Sequence, residues 1–270
     1  MLNIIAAASG ILMTRNIGRL EFHLESILYI SILIAGAAAL NCVWEAEGDR
    51  LMERTKDRAI ATGRISVLSG LVFGALLSLL GLLGLYLRVN LLTFLLGVLS
   101  LVSYVLIYTP LKRRTHLAVY AGAIPGALPP VLGYTSIMNE LDSMAIALFA
   151  ILFFWQIPHF LAISIYQSRD YAKGGVLVYP NVKSMSETRF VMVFFALLTC
   201  ASGVLPYFLG QSGLPFLILG LFSGFYFAYM NSTNINQILD NKTELDKWAK
   251  KCFFASIIYL PVLFGLMIVF

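Results

Sequence analysis

Charge is what this sequence has least of. Asp, Glu, Lys and Arg make up 12% of its 270 residues, about half the share usual in a soluble domain. With 59% hydrophobic residues and a mean hydropathy of +0.84, so few ionic groups cannot cover the surface of a water-soluble chain this long. A conventional soluble protein is excluded, and a multi-span membrane protein remains. Cysteine is scarce as well: Cys42, Cys200 and Cys252 lie in or beside apolar stretches without paired spacing. That excludes a disulfide framework and a Cys-based zinc site, and the three read as small hydrophobes. A cleavable leader pattern is also missing, since Met1 to Met13 has no preceding basic region and is followed by Arg15 instead of an Ala-x-Ala site. This first run is expected to be retained. The net charge of +5 and pI near 9.1 do not point to nucleic acid, because the basic residues sit in short loops between apolar runs.

What is present is a series of long apolar runs. A bilayer core takes about 20 apolar residues per helix and requires every backbone polar group to be satisfied within the segment. Eight such runs are evident, at roughly 26–46, 65–87, 90–110, 117–137, 143–166, 189–209, 213–232 and 252–270. A ninth, Leu2 to Met13, is short, so that either the start is clipped or the helix is supported by neighbours. With this run counted as the first, 16 of the 19 basic residues fall in the loops after even-numbered spans and 3 in the others. Basic loops stay in the cytoplasm, which predicts an all-α, polytopic bundle of about nine transmembrane helices, N-terminus inside. Arg15 and Arg19 would then lie outside, a mild conflict with the rule. Gly70, Gly74, Gly81 and Gly84 in the third span suit close helix approach in lipid. Pro125, Pro129 and Pro130 are expected to break the fifth span and Pro158 the sixth, with a cavity near the breaks.

The end of the second span holds the first polar group of interest. Asn41, Glu45 and Asp49 recur every four residues and so form one oxygen-bearing stripe on a helix. Mg²⁺ takes oxygen ligands, commonly one or two carboxylates together with substrate phosphates. Arg54 and Arg58 continue the stripe with fork-shaped donors suited to phosphate oxygens. Ion pairs at a solvated helix end would account for the same charges, but an amide as deep in an apolar helix as Asn41 calls for a role. Asp170, after the sixth span, falls on the same side by the loop count, with Lys112, Arg113 and Arg114 in the loop between. The set suits a metal-bridged polyphosphate whose tail enters the bilayer. Glu140 and Asp142 occupy an opposite loop and are expected to be solvated. His159, beside Gln156 and Pro158, is either a satisfied core histidine or a ligand.

These residues together resemble the intramembrane prenyltransferase superfamily, and within it the protohaem IX farnesyltransferase (haem O synthase) family. Asn41, Glu45, Glu47, Asp49, Met52, Arg54, Thr55 and Arg58 fall on the spacing of its first motif, with Glu45 and Glu47 where Asp is usual. Tyr108-Thr109-Pro-Leu-Lys112-Arg113-Arg-Thr115, running on to Gly122 and Pro125 to Gly133, looks like the next stretch. Trp155-Gln156-x-Pro158-His159-Phe160 and Asp170-Tyr171-x-x-Gly174-Gly175 look like the third, and Lys247 to Lys251 matches in style. The Trp-Gln-x-Pro-His motif is particular to the haem branch. The likeness covers the chain from about residue 36 onward; Ala59, Ala118 and Leu177 depart from the family pattern.

The resemblance implies a single transmembrane prenyltransferase domain over residues 1–270. It implies farnesyl transfer from farnesyl diphosphate to a vinyl group of haem B, assisted by Mg²⁺. In that scheme Glu45, Asp49 and Asp170 hold the metal, with Asn41 assisting and Glu47 a further candidate ligand. Arg54, Arg58, Lys112 and Arg113 bind diphosphate, while Trp155, Gln156, His159 and Tyr171 face the acceptor, with His159 meeting iron or a propionate. It further implies a bacterial inner membrane with the site toward the cytoplasm, and haem A synthase or terminal oxidase assembly as partners. A prenyltransferase with a quinone-type acceptor would keep the acidic motifs without evident use for Trp155, Gln156 and His159. A transporter or a non-catalytic relative would show no dependence on a prenyl diphosphate.

Overall fold

The computed structural model describes residues 2–14, 20–233, 235, 238–239 and 241–270, and among these every regular element is helical. The longer rods are α1 (Leu2–Met13), α2 (Leu20–Asp49), α3 (Val67–Val89), α4 (Leu91–Leu111), α5 (Ala118–Met138), α6 (Ser143–Tyr166), α7 (Met185–Phe208), α8 (Leu214–Ser232) and α9 (Lys242–Val269). Seven of them, α2 to α4 and α6 to α9, are long and apolar enough to cross a membrane. The all-α, multi-pass reading therefore holds. Of the about nine spans expected, α1 and α5 do not meet that standard: α1 has 12 residues, and three prolines with three glycines dilute the apolar content of α5. Arg15 and Arg19, the residues in mild conflict with the charge rule, lie outside the described residues.

Neighbours support the short α1. A side chain at Gly10 would run into the Pro130 carbonyl, and one at Gly133 into the Ala7 carbonyl, so α1 and α5 lie backbone on backbone. Ala6 and Ala7 are buried in the contact. The same use of small residues brings α2 against α3, where Gly81 faces the backbone of Leu33.

The prolines do not break their helices as expected. Helix α5 runs through Pro125, Pro129 and Pro130, and α6 through Pro158, without interruption. Each proline costs one backbone hydrogen bond, which is tolerable where the helix faces protein or a cavity. Pro125 and Pro129 both line the central cavity, so the expected link between prolines and a cavity holds. Helix α6 is the central rod, with 61% of its span buried, and its apolar residues Leu148, Ile151 and Leu152 pack against Ala255, Tyr259 and Leu263 of α9. Asp142, expected to be solvated, caps α6: its carboxylate accepts the Ala145 amide at 2.9 Å and the Tyr134 hydroxyl at 2.7 Å.

Candidate active site

A cavity of about 460 Å³ opens inside the bundle. One end is charged, lined by Asn41, Glu45, Asp49, Arg54, Arg58 and Lys112. The other is apolar and aromatic, with Trp155, Gln156, His159 and Phe160 from α6 facing Pro125 and Pro129 of α5.

Helix α2 ends at Asp49, so Arg54 and Arg58 do not continue a helical stripe. Residues 50–66 turn back on themselves instead. Arg50 Nε donates to the Ala61 carbonyl at 2.8 Å, and Thr55 Oγ1 donates to the Asp49 carbonyl at 3.2 Å. The fold-back returns Arg58 to Asp49, Nη1 to Oδ2 at 2.8 Å. The cation reaches the stripe by a loop and not by helical periodicity.

The carboxylates meet these cations closely. Glu45 Oε1 lies 2.5 Å from Lys112 Nζ, and its Oε2 accepts Asn41 Nδ2 at 2.6 Å. Asn41 Oδ1 in turn accepts the Thr109 hydroxyl at 3.0 Å and Lys112 Nζ at 3.4 Å. This network accounts for an amide deep in an apolar helix. Asp49 is 1% exposed, and its Oδ1 has no hydrogen-bond partner among the described residues. Asp49 lines the cavity, and a buried, unclaimed carboxylate oxygen is costly unless something binds it.

The charges tune one another. Burial pulls the Lys112 ammonium below its ordinary range, more than Glu45 restores. Burial would also lower Arg58, but the hydrogen bond and charge of Asp49 outweigh it and hold the guanidinium above its ordinary range. Tyr171 is pushed up by burial, partly offset by Arg54, whose guanidinium sits 4.2 Å from the Tyr171 ring centre.

Asp170 is brought to the same end of the bundle but does not line the cavity. It is 8% exposed, and Oδ1 accepts the Glu53 amide at 2.7 Å, while Oδ2 lies 3.5 Å from the Arg54 amide and 3.9 Å from Arg54 Nε. Glu47 is exposed on the opposite face of α2 from Asp49, and Arg113 is exposed beside Gly48; neither lines the cavity. Among the described residues no three His, Cys, Asp or Glu side chains are gathered as a metal-binding group.

At the apolar end, Gln156 Nε2 donates to the Ala123 and Leu152 carbonyls at 2.8 and 3.0 Å, in space left by Gly126. His159 stacks on Trp155 with ring centres 4.7 Å apart. Both are tied to Ser256 of α9, through Trp155 Nε1 to its carbonyl at 2.9 Å and His159 Nδ1 to its hydroxyl at 2.7 Å.

Four lining or anchoring residues had no role assigned from the sequence. Tyr104 and Tyr108 reach the cavity because the end of α4 widens into a π-turn over Ser103–Tyr108, a local feature common at functional sites. Lys112 lies 4.8 Å from the Tyr108 ring centre. No sequence signal announces the π-turn, although Tyr104, Tyr108 and Lys112 recur every four residues. His116, edge-on to Tyr179 at 5.0 Å, also lines the cavity. Ser256 could have been noticed as a hydroxyl within an apolar span.

Proteins of similar sequence, and solved structures of similar fold, are known. A protein described as "Protoheme IX farnesyltransferase" from Myxococcus xanthus is 36% identical over 242 residues, 90% of this chain and 81% of that protein. The protein of the same description from Sorangium cellulosum is 39% identical over 90% of this chain and 85% of its own length. The one from Francisella tularensis subsp. novicida is 36% identical over 97% and 92%. Among solved structures, one reported for digeranylgeranylglyceryl phosphate synthase superposes with a TM-score of 0.78 at 20% identity, covering 99% of this chain and 92% of that one. A UbiA homolog from Archaeoglobus fulgidus, bound to GPP and Mg²⁺, superposes with a TM-score of 0.67 at 15% identity, covering 94% and 95%. These two establish the fold. The sequence model of the UbiA prenyltransferase family matches residues 3–258, a stretch that takes in both ends of the cavity, and the chain accordingly belongs to this family of membrane-embedded prenyltransferases.

Proposed function

We propose that this chain transfers the farnesyl group of farnesyl diphosphate to a vinyl group of haem B, giving haem O, with Mg²⁺ at the charged end of the cavity. The observation that carries the reading is the cavity's two-ended character. A cluster of oxygen ligands and cations adjoins an apolar, aromatic chamber within the bundle, as a diphosphate with a long hydrocarbon tail and a flat apolar acceptor require. The names of the relatives supply the acceptor, haem B. Positive-inside loops support a cytoplasm-facing mouth, and the bacterial sources of the relatives support an inner membrane.

The donor set suits a hard cation. Asn41, Glu45 and Asp49 present oxygen only, and Asp49 Oδ1 is unclaimed. Asp170 belongs to the proposed set from the second helix end, where it also fixes the backbone of Glu53 and Arg54. Bound there, Mg²⁺ supplies Lewis-acid stabilisation of the leaving diphosphate. The remaining work falls to the chain's own side chains. Arg54, Arg58 and Lys112 exchange their carboxylate partners Asp170, Asp49 and Glu45 for diphosphate oxygens, stabilising the negative charge as the allylic C–O bond breaks, and Arg113, exposed beside them, adds a further cation. Tyr104, Tyr108 and the α6 aromatics keep water from the allylic cation until the vinyl carbon has added to it, and offer it ring faces. The terminal vinyl carbon forms the new C–C bond, and the cation left on the adjacent carbon takes up water, which loses a proton, giving the hydroxyethylfarnesyl substituent.

Membranes containing this chain, incubated with haem B, farnesyl diphosphate and Mg²⁺, are expected to yield a hydroxyethylfarnesyl haem by mass spectrometry. Chelation should abolish it and added Mg²⁺ restore it. Absence of product beside an active relative would refute the reading, and prenylation of a quinone precursor instead would reassign the acceptor.

A further inference from the structure

Two short contacts around Ser256 determine which nitrogen of His159 carries hydrogen. Ser256 Oγ lies 2.5 Å from the Phe253 carbonyl oxygen and 2.7 Å from His159 Nδ1. A carbonyl oxygen has no hydrogen to give, and two oxygens at 2.5 Å repel unless a hydrogen lies between them. The single hydroxyl hydrogen of Ser256 is therefore committed to Phe253. Toward His159, Oγ can only accept, so Nδ1 carries the ring hydrogen. In the neutral imidazole the lone pair then resides on Nε2.

The ring plane is held as firmly as the tautomer. Trp155 stacks on one face at 4.7 Å and 24° and is itself anchored by its indole N–H to the Ser256 carbonyl. Phe253 lies 5.0 Å away, ring centre to ring centre. Residue 256, wholly buried, thus fixes Trp155 through its backbone and His159 through its side chain. His159 is 9% exposed and lines the cavity.

Of the two haem groups that His159 could meet, a lone-pair nitrogen suits the iron. A haem propionate offers only oxygen lone pairs and needs a donor, whereas iron accepts a lone pair. Histidines that bind metals characteristically donate the other ring N–H to an oxygen, which fixes orientation and raises basicity. We propose that Ser256 is a positioning residue: it holds His159 in the Nδ1–H form, so that Nε2 ligates the iron of the haem acceptor instead of bonding a propionate. This rests on haem B being the acceptor, as proposed above.

The full chain in lipid nanodiscs, titrated with ferric haem B and followed by its Soret band and electron paramagnetic resonance, tests the assignment. The wild type should give an imidazole-ligated haem, and His159→Ala should lose that signature. Ser256→Ala should weaken haem binding by on the order of 10–100-fold, and Ser256→Thr, which keeps a hydroxyl, should recover it. An unchanged signature in His159→Ala, or unchanged affinity in Ser256→Ala, overturns the proposal. Should Ser256→Ala fail to accumulate, ¹⁵N-histidine NMR of the haem-free wild type decides: a protonated Nδ1 is expected, and a protonated Nε2 refutes it. Haem O formation is measured in the same preparations. Product formed while the spectra ignore Ser256 sinks this inference and leaves the function standing. A wild type that neither binds haem B nor makes product sinks both.

Discussion

Replacing Asp49 by Asn separates the charge of the site from its shape. The side chain keeps its size, but Arg58 loses the carboxylate 2.8 Å from its Nη1, and the unclaimed Oδ1 loses its charge. The first loss concerns folding. Hydrogen bonds to charged groups contribute about 1.5–3 kcal/mol, and the Arg58 side chain, 39% exposed, recovers part of that from water, so a stability cost of about 1 kcal/mol is expected. The second loss concerns turnover. Electrostatic stabilisation at a leaving group is worth about 3–4 kcal/mol per well-placed group, which at about 1.4 kcal/mol per factor of ten predicts a fall of roughly 10²–10³-fold. The two costs are read separately, by chemical denaturation of the purified protein and by haem O formation in vesicles at saturating Mg²⁺. Asp49→Asn turnover within about threefold of wild type would remove Asp49 from the diphosphate site, because the stability cost alone leaves most molecules folded.

Other residues give sharper contrasts. Asp170→Asn can keep one amide acceptor for Glu53, so loss of turnover with the 50–66 turn intact by limited proteolysis would mark a ligand, and near-normal turnover would leave Asp170 only the loop-holding contacts. Glu45→Asp shortens a side chain that spans Lys112 at 2.5 Å and Asn41 at 2.6 Å; a loss of roughly 10- to 100-fold in turnover is expected, one broken charge-assisted bond at about 1.5–3 kcal/mol, and unchanged activity would show that the longer carboxylate is not used. Gly133→Val places a branched side chain on the Ala7 carbonyl and should destabilise the protein by about 1–3 kcal/mol or more, read as a lowered melting temperature, while turnover per folded molecule is retained.

The sequence revealed most where residues act through helical spacing, and least where a loop or a local winding supplies the geometry. The stripe of Asn41, Glu45 and Asp49 is legible because four-residue spacing is a property of any helix, and all three line the cavity. Arg58 reaches the same stripe for a different reason, a reversal of residues 50–66 pinned by Arg50 to Ala61 and Thr55 to Asp49, which no periodicity encodes. Helix breaks inferred from Pro125, Pro129, Pro130 and Pro158 did not form, because a helix packed within protein can lose single hydrogen bonds without parting. Tyr104 and Tyr108 depend on a π-turn, and the role of Ser256 on a partner 97 residues away in the chain. The pairing of charges was hidden for a related reason. Lys112 and Glu45 are far apart in sequence, yet their contact makes the charged end of the cavity self-neutralising: Lys112 covers Glu45 and Arg58 covers Asp49. Cations stored against carboxylates stay folded and in place until an anion competes for them. A metal at Asp49 and a diphosphate at Lys112 and Arg58 would then each release the partner that the other needs, so the two ligands should bind more tightly together than apart, and equal diphosphate affinity with and without Mg²⁺ would contradict that coupling.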